Sequence, residues 1–273
     1  MIDQKTIDNL RKAAGTLPSE SPVKNTRVLS IDDTLEISIE DHSKNPYKAM
    51  YCAATSTWGD NDFKPKWSNT SIEGKLEVIK AVLTHNTLPQ AKEMVNFVFR
   101  VRGVPRWLFD YHTQIPFTTF MSIGCRDNNK IDSDVVVTAD EQFIIENEYV
   151  FLRLKDLYEK ALGNKQASWQ SARTFLPQSY LHAYHFSQNL LSIVGTKGFH
   201  ASKLFGNSEE EKALKLLYLN IIMRITKLFP LIGYYAGILT CESNDQQKLI
   251  FETISNLTVD KLSKIDIKYL NKK

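Results

Sequence analysis

Between Val95 and Val104 apolar and basic residues alternate: Phe97, Phe99 and Val101 stand against Arg100 and Arg102. A period of two sends successive side chains to opposite faces, so this segment is a β-strand with one buried face. Gly103-Val104-Pro105 ends it. Such a strand needs neighbours beside it and apolar cover above it. Arg27 to Ile39 also alternates, and Val135 to Thr138 is a short β-branched run, so both are expected as strands. The cover comes from helices. Ile72, Leu76, Ile79 and Leu83 form a helical stripe. Asp140 to Leu162 begins with an acidic turn that suits the helix dipole. Leu181 to Val194 reads as another helix, and Glu209 to Phe229 as a third, stopped by Pro230. Ile7 to Ala14 is a short helix candidate before a Pro/Ser-rich stretch, and residues 56–72 read as a surface loop. No internal repeat or low-complexity segment interrupts the pattern. Few strands with long helices define an α/β (α+β) chain, expected as an N-terminal helix and linker over 1–26 and a single domain over 27–273.

A chain of 273 residues with 42% hydrophobic and 11% aromatic residues can build a packed core. Its net charge of +3 is too weak for duplex nucleic acid but suits a small anion held by local arginines. Cys52, Cys125 and Cys241 are an odd, scattered set with no CxxC, which argues against a disulfide framework or zinc ribbon and for a reduced, cytoplasmic setting. Met1 to Ser21 lacks an apolar signal core. The most apolar stretch, Leu214 to Leu239, is broken by Arg224, Lys227 and Pro230, so it reads as a buried helix and no membrane span is expected.

Five arginines fall in the middle of the chain: Arg100, Arg102, Arg106, Arg126 and Arg173. Arginine grips phosphate and carboxylate through a planar fork of donors. Alternation places Arg100 and Arg102 on a solvated strand face. Arg126 and Arg173 read either as anion ligands or as salt-bridge partners, with Asp127 at hand for Arg126. His182 and His185 stand at i, i+3, a spacing that can put two ligands on one metal. No HExxH and no third carboxylate accompanies them, so they read as structural histidines and no metal is expected. Cys125 adjoins Arg126, but no histidine is assigned to activate it. Gly195-Thr196-Lys197-Gly198 follows a helix pattern and is too short for a phosphate loop.

The order of segments over residues 75–230 resembles the flavin-dependent thymidylate synthases. A helix runs into Thr84-His85-Asn86-Thr87, matching a His-x-Thr/Ser turn. Phe97-Val98-Phe99 matches a Phe-Thr-Phe-like strand. After a long helix, Ala172-Arg173-Thr174-Phe175-Leu176-Pro177 matches an Ala-Arg-x-x-Leu-Pro signature, the most specific match, and Asn189 follows at the family's spacing. The family's Arg-His-Arg triplet falls on Gln114-Ile115-Pro116, its serine on Gly124, and its Arg-Tyr pair on Arg126-Asp127. Ile115 and Pro116 carry no side-chain donor and cannot replace histidine and arginine.

The resemblance implies a homotetramer with a central, mostly antiparallel sheet and long helices, and with active sites where subunits meet. It implies FAD, reduced by NADPH, and methylenetetrahydrofolate as one-carbon donor to C5 of dUMP. His85, Thr87 and Asn189 would lie at the flavin, and Arg126 and Arg173 would hold the pyrimidine nucleotide. Three readings follow: a flavin- and folate-using transferase, a catalytically degenerate relative keeping the fold for nucleotide binding or assembly, and a plain helical interaction protein.

Overall fold

The structure is a computed structural model, described here for residues 27–57, 63–84, 88–115, 118–122, 134–137, 141–163, 172–194, 209–241 and 243–272. The chain enters through β1 (Val28–Ser30), a single helical turn α1 (Ile31–Thr34) and β2 (Glu36–His42). Helices α2 (Pro46–Ser56), α3 (Phe63–Asn69), α4 (Ile72–Thr84) and α5 (Gln90–Glu93) lead to β3 (Asn96–Pro105). Then come α6 (Arg106–His112), β4 (Thr118–Ser122), β5 (Val135–Val137) and the long α7 (Glu141–Gly163). A 3₁₀ turn at Arg173–Phe175 precedes β6 (Leu181–Asn189) and α8 (Leu190–Val194). The C-terminal part is helical: α9 (Glu209–Leu228), α10 (Pro230–Ala236), α11 (Asn244–Ser255) and α12 (Lys264–Asn271).

Four strands form an antiparallel sheet in the order β2-β3-β6-β4, and β1 and β5 make a separate parallel pair. The alternation of β3 decides which face is inner. Phe97, Phe99 and Val101 point inward and are fully buried with Ile37 of β2 and Tyr184 and Phe186 of β6. Phe99 lies opposite Phe186 in register, and their rings stack at 4.8 Å. Helix α9 lies over this face with Leu217, Ile221 and Ile225 buried beneath it. Each such side chain contributes on the order of 1.5–3 kcal/mol when withdrawn from water.

Gly103 explains how β3 ends. Its φ of 74° lies in the left-handed region, and the pairing register shifts between Arg102 and Val104. A Cβ there would sit 1.6 Å from the carbonyl oxygen of Thr34, whose hydroxyl donates to the Gly103 carbonyl at 2.7 Å. Only glycine fits this bulge, which re-aims the strand so that Val104 and Pro105 are both buried before α6 begins.

Three sequence expectations change. Leu181–Val194 is not one helix but β6 followed by the short α8. Its inward positions are His182, Tyr184, Phe186 and Gln188, and two polar residues among four disguise the period of two. Residues 56–72 contain α3, whose Trp67 is fully buried against Tyr51 and donates its indole N–H to the Lys272 carbonyl at 2.6 Å. The Arg27–Ile39 strand is split by α1, where Ser30 caps a turn carrying Asp32 and Asp33. The strand at 95–104, the helices at 72–83, 140–162 and 209–229, and the short run at 135 stand as expected, with ends shifted by a residue or two. Pro230 stops α9 and also opens α10. The Ile7–Ala14 helix lies outside the described residues.

Candidate functional site

The Ala172–Pro177 signature forms a tight peg. Ala172 and Leu176 are buried against Tyr158 of α7 and Tyr180, and the Leu176 N–H donates to the Arg173 carbonyl at 3.0 Å. The next residues are pinned on both sides. The Arg106 and Trp107 N–H groups donate to the Tyr180 and Gln178 carbonyls at 3.2 and 3.1 Å, and the Val136 N–H to the Ser179 carbonyl at 2.7 Å. A turn held this firmly leaves Arg173 exposed, its guanidinium without hydrogen bond or ion pair among the described residues. It joins α7 to a strand, not two helices as the sequence implied.

Asn189 closes β6, and its side-chain oxygen accepts from the Ser192 N–H at 2.7 Å, capping α8. Its amide nitrogen has no partner among the described residues, so a ligand carbonyl can still be met there. Arg173 precedes the start of β6 and Asn189 ends it. At about 3.3 Å per residue the strand itself, Leu181 to Asn189, is roughly 26 Å long. Of the other assigned residues, His85, Thr87 and Arg126 lie outside the described ones, as does Cys125. In the triplet's place, Gln114 is exposed and Ile115 is 5% exposed, packed into the core.

His182 and His185 fall on opposite faces of β6, because i and i+3 in a strand point apart. His182 is buried against Phe109 and Tyr180, whereas His185 is exposed. They cannot share an ion. Arg106 is engaged by Asp110 at 2.8 Å and lies over the Phe109 ring. Cys52 and Cys241 are free thiols, and burial pushes both up from the ordinary thiol range, against partial opposition at Cys52 from Lys48. Neither is poised as a nucleophile.

The inner face holds polar groups that the sequence did not reveal. His112, fully buried, bonds the Tyr184 hydroxyl through Nδ1 at 2.8 Å and the Tyr218 hydroxyl through Nε2 at 3.2 Å. Tyr218 in turn bonds Gln188 at 2.9 Å, and Gln188 reaches Ser192 at 3.4 Å. Burial raises both tyrosine pKa values, Tyr184 also through Tyr218. The chain is internally satisfied and acts as a buried polar strut.

The outer face of the same strands is different. Arg100, Arg102, Met121, Ser122, Ala183, Tyr184 and His185 surround a hollow of about 280 Å³. Arg100 is half-buried and Arg102 exposed, and neither guanidinium forms an ion pair or hydrogen bond with another described residue. A larger hollow of about 740 Å³, bounded by α10, α11 and α12, is mainly apolar. Its Asp266 is already occupied by the Tyr47 hydroxyl and by Ser263 at 2.7 Å.

Together the four-stranded antiparallel sheet, its helical cover on one face and its basic open face define a mixed α/β domain. Its fold is similar to that of the UMP/dUMP methylase PolB from Streptomyces cacaoi. Against that enzyme bound with 5-Br dUMP the TM-score is 0.59 at 14% identity, covering 77% of this chain and 96% of PolB. Against the 5-Br UMP complex it is 0.60 at 12% identity, covering 79% and 97%. No family model matches the chain, and no curated protein matches it in sequence. At this identity the likeness establishes the fold. No helix of the described residues is long and apolar enough to cross a membrane.

Proposed function

We propose that this chain binds a pyrimidine nucleotide such as dUMP and transfers a one-carbon unit, methyl or hydroxymethyl, to its C5. The carrying observation is Arg173, presented exposed and unpaired by a pinned turn in a fold shared with a UMP/dUMP methylase. A guanidinium carried on that pinned backbone can oppose the nucleotide phosphate through its fork of donors. FAD, NADPH and methylenetetrahydrofolate are part of the reading; a bound flavin supplies the reducing equivalents. Among the residues assigned to the flavin, the described one is Asn189, whose uncommitted amide N–H suits a ring carbonyl. A homotetramer with sites at subunit junctions is part of the same reading. The reading places the protein in the cytoplasm.

Buried Ile115 favours a second reading. It supplies no donor where the related enzymes carry their triplet, so a relative that binds nucleotide without the transfer step also fits. One assay separates the two. Purified protein is tested for a flavin spectrum, then incubated with FAD, NADPH, methylenetetrahydrofolate and dUMP, with the nucleotide analysed by mass spectrometry. A yellow protein yielding a C5-modified nucleotide is expected. Nucleotide binding without product supports the second reading; a colourless, stably monomeric protein that ignores both FAD and dUMP contradicts both.

A further inference from the structure

We propose that the hollow on the open face, between β3, β6 and β4, is a binding site for a phosphoryl group, held by Arg100 and Arg102 with His185 as an additional donor. This site does not involve Arg173 and is independent of the nucleotide reading above. It starts from register. Arg100 lies directly opposite His185, and His185 opposite Met121, so three strands bring these side chains into one row. Arg102 lies opposite Ala183, whose single methyl leaves the space that opens as the hollow.

The charge balance of the row is one-sided. Arg100 and Arg102 sit two residues apart on one strand face, which repel unless an anion separates them. The nearest candidates to neutralise them are on β2, where Glu36 pairs in register with Arg102 and Ser38 with Arg100. Glu36 makes no ion pair with Arg102, and Glu40 of the same strand is turned to the Ser38 hydroxyl. Among the described residues no carboxylate lines the hollow. Arg106, one turn beyond the bulge, shows the contrast, because its guanidinium is held by Asp110 through three hydrogen bonds. Two guanidiniums without an acid partner among the described residues, beside an imidazole around a small hollow, present planar forks with a further donor, the arrangement that receives a tetrahedral oxyanion. The volume of about 280 Å³ is ample for such a group. Met121, 75% exposed at the rim, offers apolar surface to whatever carries the phosphoryl group.

The test is calorimetric titration of the full chain with inorganic phosphate, dUMP and deoxyuridine. It compares wild type, Arg100→Ala, Arg102→Ala, Arg100→Lys and the control Arg106→Ala, with light scattering on each. Losing a charge-assisted hydrogen bond should weaken phosphate binding about tenfold or more in each alanine variant. Arg100→Lys should recover part of the loss and Arg106→Ala should bind as wild type. Weakening for dUMP but not deoxyuridine identifies a nucleotide's phosphoryl group; weakening for inorganic phosphate alone identifies the free ion. Unchanged affinity for both phosphate probes, with or without altered assembly, overturns the proposal; altered assembly alone would make this face a contact between copies. Because Arg173 is untouched in these variants, the failure of this site is distinguishable from failure of the nucleotide reading.

Discussion

The two faces of β3 and β6 are built from alternate residues of the same strands, yet they obey opposite rules. On the inner face a polar network is matched within itself: His112 bridges two tyrosine hydroxyls, and Gln188 completes the chain beside stacked Phe99 and Phe186. On the outer face Arg100 and Arg102 have no acid partner among the described residues. Satisfied polarity inside water-free packing stabilises; unsatisfied charge around a hollow costs little while water is present and becomes useful when a ligand replaces that water. A buried polar network is therefore weak evidence for a site, and an unpaired basic row is stronger evidence.

The contrast can be broken where it is largest. Phe99→Ala removes a fully buried ring from the stack with Phe186 and should cost about 3–5 kcal/mol, read by denaturant unfolding. An effect near that of an exposed substitution would mean the inner face is not the core.

Lys92 sharpens the comparison, since it carries a charge in an inner environment. It is 2% exposed, its ammonium donates to the Tyr235 hydroxyl at 2.8 Å, and burial lowers its pKa to about 8. The unfolded chain then holds a proton between about pH 8 and 10.4 that the folded chain has released, so stability rises with pH in that window. Between pH 8 and 10 the gain should be roughly 2 kcal/mol, and Lys92→Met should abolish it. Identical pH profiles for the two proteins would contradict the assignment.

Breaking the polar strut should cost less. His112→Leu leaves the buried Tyr184 hydroxyl without its ring-nitrogen partner and should destabilise by about 1–2 kcal/mol. Smallest of all, Arg102→Ala on the outer face should shift stability by no more than about 0.5 kcal/mol, because the side chain is exposed and unpaired. Thermal unfolding of both variants gives the ranking; a larger loss at Arg102 than at His112 would reverse the account of the two faces.

Much of this was legible in the sequence where a single period ran uninterrupted. The β3 alternation names the inner and outer residues, including the arginines, and the stripe from Ile72 to Leu83 names a helix. Legibility failed where polar residues turn inward. His182 and Gln188 occupy core positions because hydrogen-bonding and aromatic partners from α6 and α9 meet them, and nothing local signals such partners. Trp67 was lost for the same reason: what buries it comes from the far C-terminal end. Of the site, Arg173 and Asn189 could be picked out by motif, but the strand that runs between them, β6, reads as a helix. The hollow at Arg100 and Arg102 could not be read at all, since it arises from cross-strand register with Ala183 and His185.

The central claim is that a pyrimidine nucleotide is bound through an arginine held outside the packed core. Titration of dUMP into wild type and Arg173→Ala, with unfolding curves for both, tests it most directly. The account predicts an affinity loss of roughly tenfold to a hundredfold, about 1–3 kcal/mol, with stability unchanged within about 0.5 kcal/mol and with Arg173→Lys restoring only part of the binding. Equal affinity of wild type and Arg173→Ala for dUMP, or no binding by either, would contradict it.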